Sequence, residues 1–113
     1  LRSISFRRTP ISRRLDTLAA QNSKEKKNIK VMTEKEQTEL KQVIFEIYGD
    51  YICQLQNQYP KLTEADLLYS CLASTGLSTF AIALCFGNTD TGIVAQRKRR
   101  LKLKMETEEA NEE

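Results

Sequence analysis

Histidine and tryptophan are absent from this 113-residue sequence, and glycine (4), proline (2) and cysteine (3) are scarce. Without histidine the chain lacks the commonest general base, the commonest zinc ligand and the commonest physiological pH switch. The four glycines form no GxxxxGK loop that could cradle a phosphate. Scarce Gly and Pro beside abundant Lys, Glu, Leu and Gln favour helices over a sheet protein rich in tight turns. No apolar run approaches the roughly 18–20 residues of a membrane span. Cys53, Cys71 and Cys85 are an odd set with no CxxC pair and no signal peptide, which fits a reducing, cytoplasmic compartment. Each lies inside an apolar pattern, so all three are expected as buried structural thiols. Glu64, Asp66, Lys98 and the dispersed cysteines make no nucleophile and base pair, so no catalysis, cofactor or metal is expected. The chain opens on Leu1 instead of Met and reads as a piece of something longer.

What is present is charge, unevenly placed. Residues 1–30 hold nine basic and two acidic side chains, and residues 31–61 hold three and five. Residues 62–105 hold six and three, and residues 106–113 hold five acidic and none basic. The net +3 is therefore a sum of unlike blocks, and the basic blocks point to a polyanionic partner.

Residues 1–32 read as a basic leader. Its first eight residues have no clear period, but Thr9-Pro10 is a cap followed by proline at the first helical position. Ile11, Leu15, Leu18 and Ala19 then place a short helix over about 10–20, and the polar stretch 21–30 reads as a flexible linker. Residues 33–59 carry the strongest periodicity. Thr33 and Glu36 form a capping box, and Leu40, Val43, Ile44, Ile47, Tyr48, Tyr51, Ile52 and Leu55 follow at three- and four-residue steps. They predict one amphipathic helix of roughly 25 residues ending before Tyr59-Pro60, with Gly49 costing about 1 kcal/mol inside it. Its apolar stripe is too long for small neighbours to cover, so a second copy or the next domain is expected against it.

Residues 60–105 change to short helices with sharp stops. Thr63 and Asp66 repeat the capping arrangement, Gly76 can end the helix, and Ser78 caps the next, which stops at Gly87-Asn88. A last helix starts near Thr89 or Asp90 and turns Val94, Leu101 and Met105 to the core. Two short helices and a following basic helix are the helix-turn-helix plan, in which the last helix enters the major groove. The wheel turns Gln96 and Arg99 outward, flanked by Ala95 and Arg100, while Lys98 lies near the core seam. Gln96 and Arg99 are the first choices for base edges, and Thr89, Thr91 and Arg100 for phosphates or the groove edge. Lys102 and Lys104 are assigned to phosphates or to solvent. The tail, 106–113, is expected to be disordered. The rival reading is an interaction module whose basic helix binds an acidic protein.

Leu62-Thr63, Asp66, Leu72, Gly76-Leu77-Ser78, Ile82-Ala83 and Ile93 or Val94 resemble the LuxR/GerE-type helix-turn-helix pattern. Residues 6–105 are similar, more narrowly, to the carboxy-terminal region of large tetratricopeptide-repeat bacterial transcriptional regulators. Phe6, Thr9-Pro10-Ile11, Tyr59-Pro60 and Arg97-Lys98-Arg99-Arg100-Leu101 carry that second likeness. The resemblance implies an all-α, winged-helix-like DNA-binding transcriptional regulator with Thr91–Arg100 facing the groove of double-stranded DNA. A homodimer is expected through the stripe of the 33–58 helix or through the last helix, the latter implied by the resemblance with Leu103 as a contact. No small-molecule site is evident in the residues, and the resemblance implies the cytoplasmic end of a membrane-anchored protein. The chain departs from the pattern at Gln96, where that family usually has His, and in the turn Gly87–Gly92 before the last helix, which is longer than the pattern by one residue.

Overall fold

The computed structural model describes residues 1–21 and 28–112, with side chains described through Glu108. The regular structure among them is all helical: α1 (Arg2–Arg7), α2 (Pro10–Ala19), α3 (Glu34–Ile47), α4 (Gly49–Gln58), α5 (Glu64–Ser74), α6 (Thr79–Cys85) and α7 (Thr91–Glu112). No helix among the described residues is long and apolar enough to cross a membrane.

The helix starts follow the caps in the sequence. Thr9, Thr33, Thr63 and Ser78 each adopt extended backbone, and each hydroxyl accepts an N–H from the first turn. Thr33 with Glu36 and Thr63 with Asp66 are complete capping boxes. The expected linker over 21–30 falls largely outside the described residues, because 22–27 are not among them. Its two ends meet through Gln21, whose amide donates to the Lys30 carbonyl (2.7 Å) and accepts from the Lys30 N–H (2.8 Å).

Four expectations need correction. Six of the first eight residues are helical: α1 puts a single side chain, Phe6, into the core at 1% exposure, and one inward residue in six produces no period. The predicted 25-residue helix is two helices, α3 and α4, meeting at Tyr48 (φ −100°, ψ 17°). The bend is shallow. The Tyr48 N–H still reaches the Ile44 carbonyl (2.8 Å), and the Ile52 N–H reaches that of Tyr48 (2.9 Å). The stripe of Leu40, Ile44, Tyr48, Ile52 and Leu55 is buried, because α1, α2 and α5 pack on α3 and α5 packs on α4. It therefore needs no second copy. Finally, the tail is not disordered along 106–112, which continues α7. Glu108 lies seven residues beyond Leu101, on the line of Val94 and Leu101, and is buried where its Oε1 accepts the Lys61 N–H (3.0 Å).

The α6 helix sits at the centre. Five consecutive residues, Ala81 to Cys85, are buried, and the helix packs against α2, α5 and α7. The Met32 N–H donates to its Leu84 carbonyl (3.2 Å), which fixes the approach to α3. One cluster of buried side chains runs from Phe6 to Leu101 through every helix.

At the end of α6, the Asn88 N–H reaches the Ala83 carbonyl (2.9 Å) and the Gly87 N–H reaches that of Leu84 (3.0 Å), a Schellman closure. It requires Gly87 at φ +73°. A Cβ there would meet Gln37 Nε2 at 2.7 Å, and that amide holds the Met32 carbonyl (2.9 Å). Gly87→Ala should therefore cost about 1–2 kcal/mol, seen as a lower midpoint in urea followed by circular dichroism. Gly49→Ala is the contrast. Nothing lies within 4 Å of its Cβ position, so the same titration should show no loss, and up to about 1 kcal/mol of gain.

Candidate nucleic-acid interface

The last helix is aimed by the two before it. The helix α5 ends at Thr75, and Gly76 (φ +82°) turns the chain toward the Ser78 cap of α6. After the Gly87 closure, Asn88 Oδ1 accepts the Asp90 N–H (2.9 Å) and Asp90 Oδ1 accepts the Gly92 N–H (2.8 Å), so two Asx contacts start α7. Val94 and Leu101 are buried and Met105 is half-buried, while Ile93 is exposed. Of the two rival core positions, Val94 is the one used.

The six cations of α7 divide into two groups. Arg97 and Lys104, seven residues apart on one flank, both reach Asp66 in the first turn of α5. Lys104 Nζ lies 2.7 Å from Asp66 Oδ2, and Arg97 lies 3.7 Å from Oδ1 with its guanidinium 4.9 Å from the Phe86 ring centre. Asp66 is only 4% exposed and also closes the capping box, its Oδ2 accepting the Thr63 N–H (3.0 Å). Burial works to raise its pKa. The Lys104 hydrogen bond, then the Thr63 N–H and hydroxyl, outweigh that and hold the carboxyl below its ordinary value. Lys104, expected on phosphates or in solvent, is thus an internal brace.

Lys98, Arg99, Arg100 and Lys102 remain. All four are exposed and take part in no ion pair among the described residues. The neutral candidates Thr89, Thr91, Ala95 and Gln96 are exposed as well. At 100° per residue, Ala95, Gln96 and Arg99 occupy the side of α7 opposite Leu101. The remaining cations sit on the two flanks. Arg100 borders a shallow cleft with Lys61, Leu103 and Lys104, and Lys102 borders a groove beside Tyr51 and Tyr69. Lys98 borders that same groove, its stem along the seam and its amine outward.

Asp66 and Arg97 are the positions that sequence reading missed as a pair. The seven-residue spacing of Arg97 and Lys104 and a capping acid nearby were the available signals. The basic leader is also partly engaged within the molecule. Arg7 donates to the Thr75 carbonyl at the end of α5 (3.3 Å), Arg14 pairs with Glu36 (2.6 Å), and Arg2 lies over the rings of Tyr48 and Tyr51 (5.9 and 5.5 Å). Arg8 and Arg13 are exposed.

Cysteine chemistry divides by burial. Cys71 and Cys85 are buried, and burial pushes both thiols up to about 12, far from the reactive thiolate. Cys53, expected to be buried, is exposed, because it falls on the outer side of α4 behind Ile52. No group of three or more His, Cys, Asp or Glu among the described residues could hold a metal ion. No family model matches the chain, and neither a curated protein nor a solved structure matches it.

Proposed function

We propose that the chain is a sequence-specific DNA-binding element of a transcriptional regulator, with α7 as the helix that enters the major groove. One observation carries the reading: Asp66 binds two of the six α7 cations and braces the helix, leaving four others exposed on its outer side and flanks. In this arrangement Arg99 offers two parallel donors to a guanine edge, and Gln96 offers a donor and an acceptor to adenine. Ala95 allows close approach or contact with a thymine methyl, while Thr89, Thr91, Arg100 and Lys102 hold phosphates and fix the register. The double-stranded polyanion accounts for the unshared positive charge better than a small anion does, because the four cations span more than one turn of helix.

A second copy belongs to the same proposal in narrower form than the sequence implied. The 33–58 stripe is covered from within the chain, whereas Leu103 stays 57% exposed on α7. Pairing is therefore assigned to the last helix. The setting proposed is the bacterial cytoplasm, consistent with free thiols.

Selection of sites from a pool of random duplexes tests the reading directly. A short enriched motif containing guanine and adenine within half a helical turn is expected. A pool that stays random after repeated rounds contradicts sequence-specific binding.

A further inference from the structure

On the flank of α7 away from Arg97 and Lys104, a groove of about 570 Å³ opens between α4, α5 and α7. Tyr51 and Tyr69 form one wall, and Leu101 and Met105 form the other. Ala73 lies exposed on its α5 side, so an approaching backbone meets no bulky side chain there. The α7 side runs from Lys98 to Glu106, about 12 Å at 1.5 Å per residue, or just over two helical turns.

The rim decides what chemistry fits. Lys98 and Lys102 stand one turn apart, both exposed and in no ion pair among the described residues, against a single acidic lining residue, Glu106. We propose that this groove is the docking site for an acidic amphipathic helix of a partner protein. Apolar side chains at i, i+3 and i+4 lie on Tyr51 and Met105, the half-buried part of a lining whose floor is the buried Tyr69 and Leu101, and acidic residues beside them meet Lys98 and Lys102. Met105 lets the wall adjust to side chains of different shape. Gln96 points away from the groove, whereas Arg99 shares a helical stripe with Lys102 and Glu106, so a helix in the groove competes with a duplex for Lys102. Docking stands on the groove's own lining. Only the competition with a duplex at Lys102 rests on the DNA reading.

The full chain, labelled with nitrogen-15, is titrated with a synthetic helix of about four turns carrying one leucine stripe flanked by Glu, and with its counterpart carrying Lys for Glu. Saturable shifts are expected at the amides of Ala73, Ser74, Lys98 and Lys102 with the Glu peptide. The Lys peptide should bind at least about tenfold more weakly, a difference of one decade in Kd. Ala73→Arg, at an exposed position, should weaken the Glu peptide to a similar extent while duplex binding is unchanged. Lys98→Glu combined with Lys102→Glu should also weaken the Glu peptide about tenfold; duplex binding is not the control for that pair, because Lys102 is assigned to phosphates. Absent or scattered shifts, or equal binding of the two peptides, overturn the proposal. Concentration-dependent shifts at these amides without peptide assign the groove to a second copy instead. Loss of duplex binding on Ala73→Arg assigns it to DNA. Either result overturns the proposal and leaves the α7 reading to stand on its own test.

Discussion

Asp66→Ala lowers the unfolding free energy by about 2–3 kcal/mol, the largest expected effect of any single polar substitution here. The size follows from what one carboxylate does. It is 4% exposed, closes the α5 capping box through the Thr63 N–H, and reaches Lys104 at 2.7 Å and Arg97 at 3.7 Å. Loss of the reciprocal capping-box bond to the Thr63 N–H accounts for about 1 kcal/mol, the Thr63 hydroxyl still capping the backbone N–H of residue 66. Breaking a fully buried ion pair costs about 3–5 kcal/mol when the remaining charge is stranded. Arg97 and Lys104 are only half-buried and can turn to water, so the second contribution is smaller and the total stays below that range. Asp66→Asn keeps an oxygen for the cap and removes the charge, so it should cost about half as much. Urea titrations followed by circular dichroism measure both, and an unchanged midpoint for Asp66→Ala would refute the brace.

The sign of the pH dependence is fixed by the same contacts. Asp66 has its carboxyl below the ordinary value in the folded chain, so its contribution is fully present above the unfolded value of about 4. It is lost as pH falls through the lowered folded value. The stability difference between the natural chain and Asp66→Asn should therefore be full at neutral pH and shrink in acid.

On the proposal that α7 reads DNA, Arg99→Ala combined with Arg100→Ala should weaken duplex binding a hundredfold or more, about 1–3 kcal/mol for a bidentate base contact and a further share for a phosphate. Both side chains are exposed and hold nothing within the protein among the contacts described, so helicity and the urea midpoint should be unchanged. Arg97→Ala gives the opposite pattern. It loses the Phe86 stack and the Asp66 contact, so it should lower stability while leaving much of the phosphate attraction in place. A mobility-shift titration beside a melting curve separates the two behaviours.

Much of the helical plan was legible because caps and stops are local. Thr9, Thr33, Thr63 and Ser78 act within four residues of themselves, and Gly76 and Gly87 supply the positive φ that their turns require. What stayed hidden depends on residues far apart in the chain. Phe6 gives no period because its six-residue helix buries only one side chain. The Tyr48 bend interrupts no hydrophobic step in the sequence, because α5 packs on both halves and the stripe runs through it. Glu108 was read as part of a solvated tail because composition does not reveal the Lys61 N–H waiting for it. At the candidate interface, the outward set around Gln96 and Arg99 follows from helical period alone. The division of the six cations does not, since Asp66 lies 31 residues before Arg97 and 38 before Lys104.

The salt dependence of duplex affinity bears most directly on the central claim. Four exposed α7 cations on phosphates or in the groove predict a slope of about −4 in log K against log salt, near −0.9 per cation. The Arg99→Ala, Arg100→Ala chain should show about −2 where binding is still measurable. A natural chain that binds no duplex at low salt, or a slope that the double substitution leaves unchanged, would contradict the assignment of α7 as the DNA-reading helix.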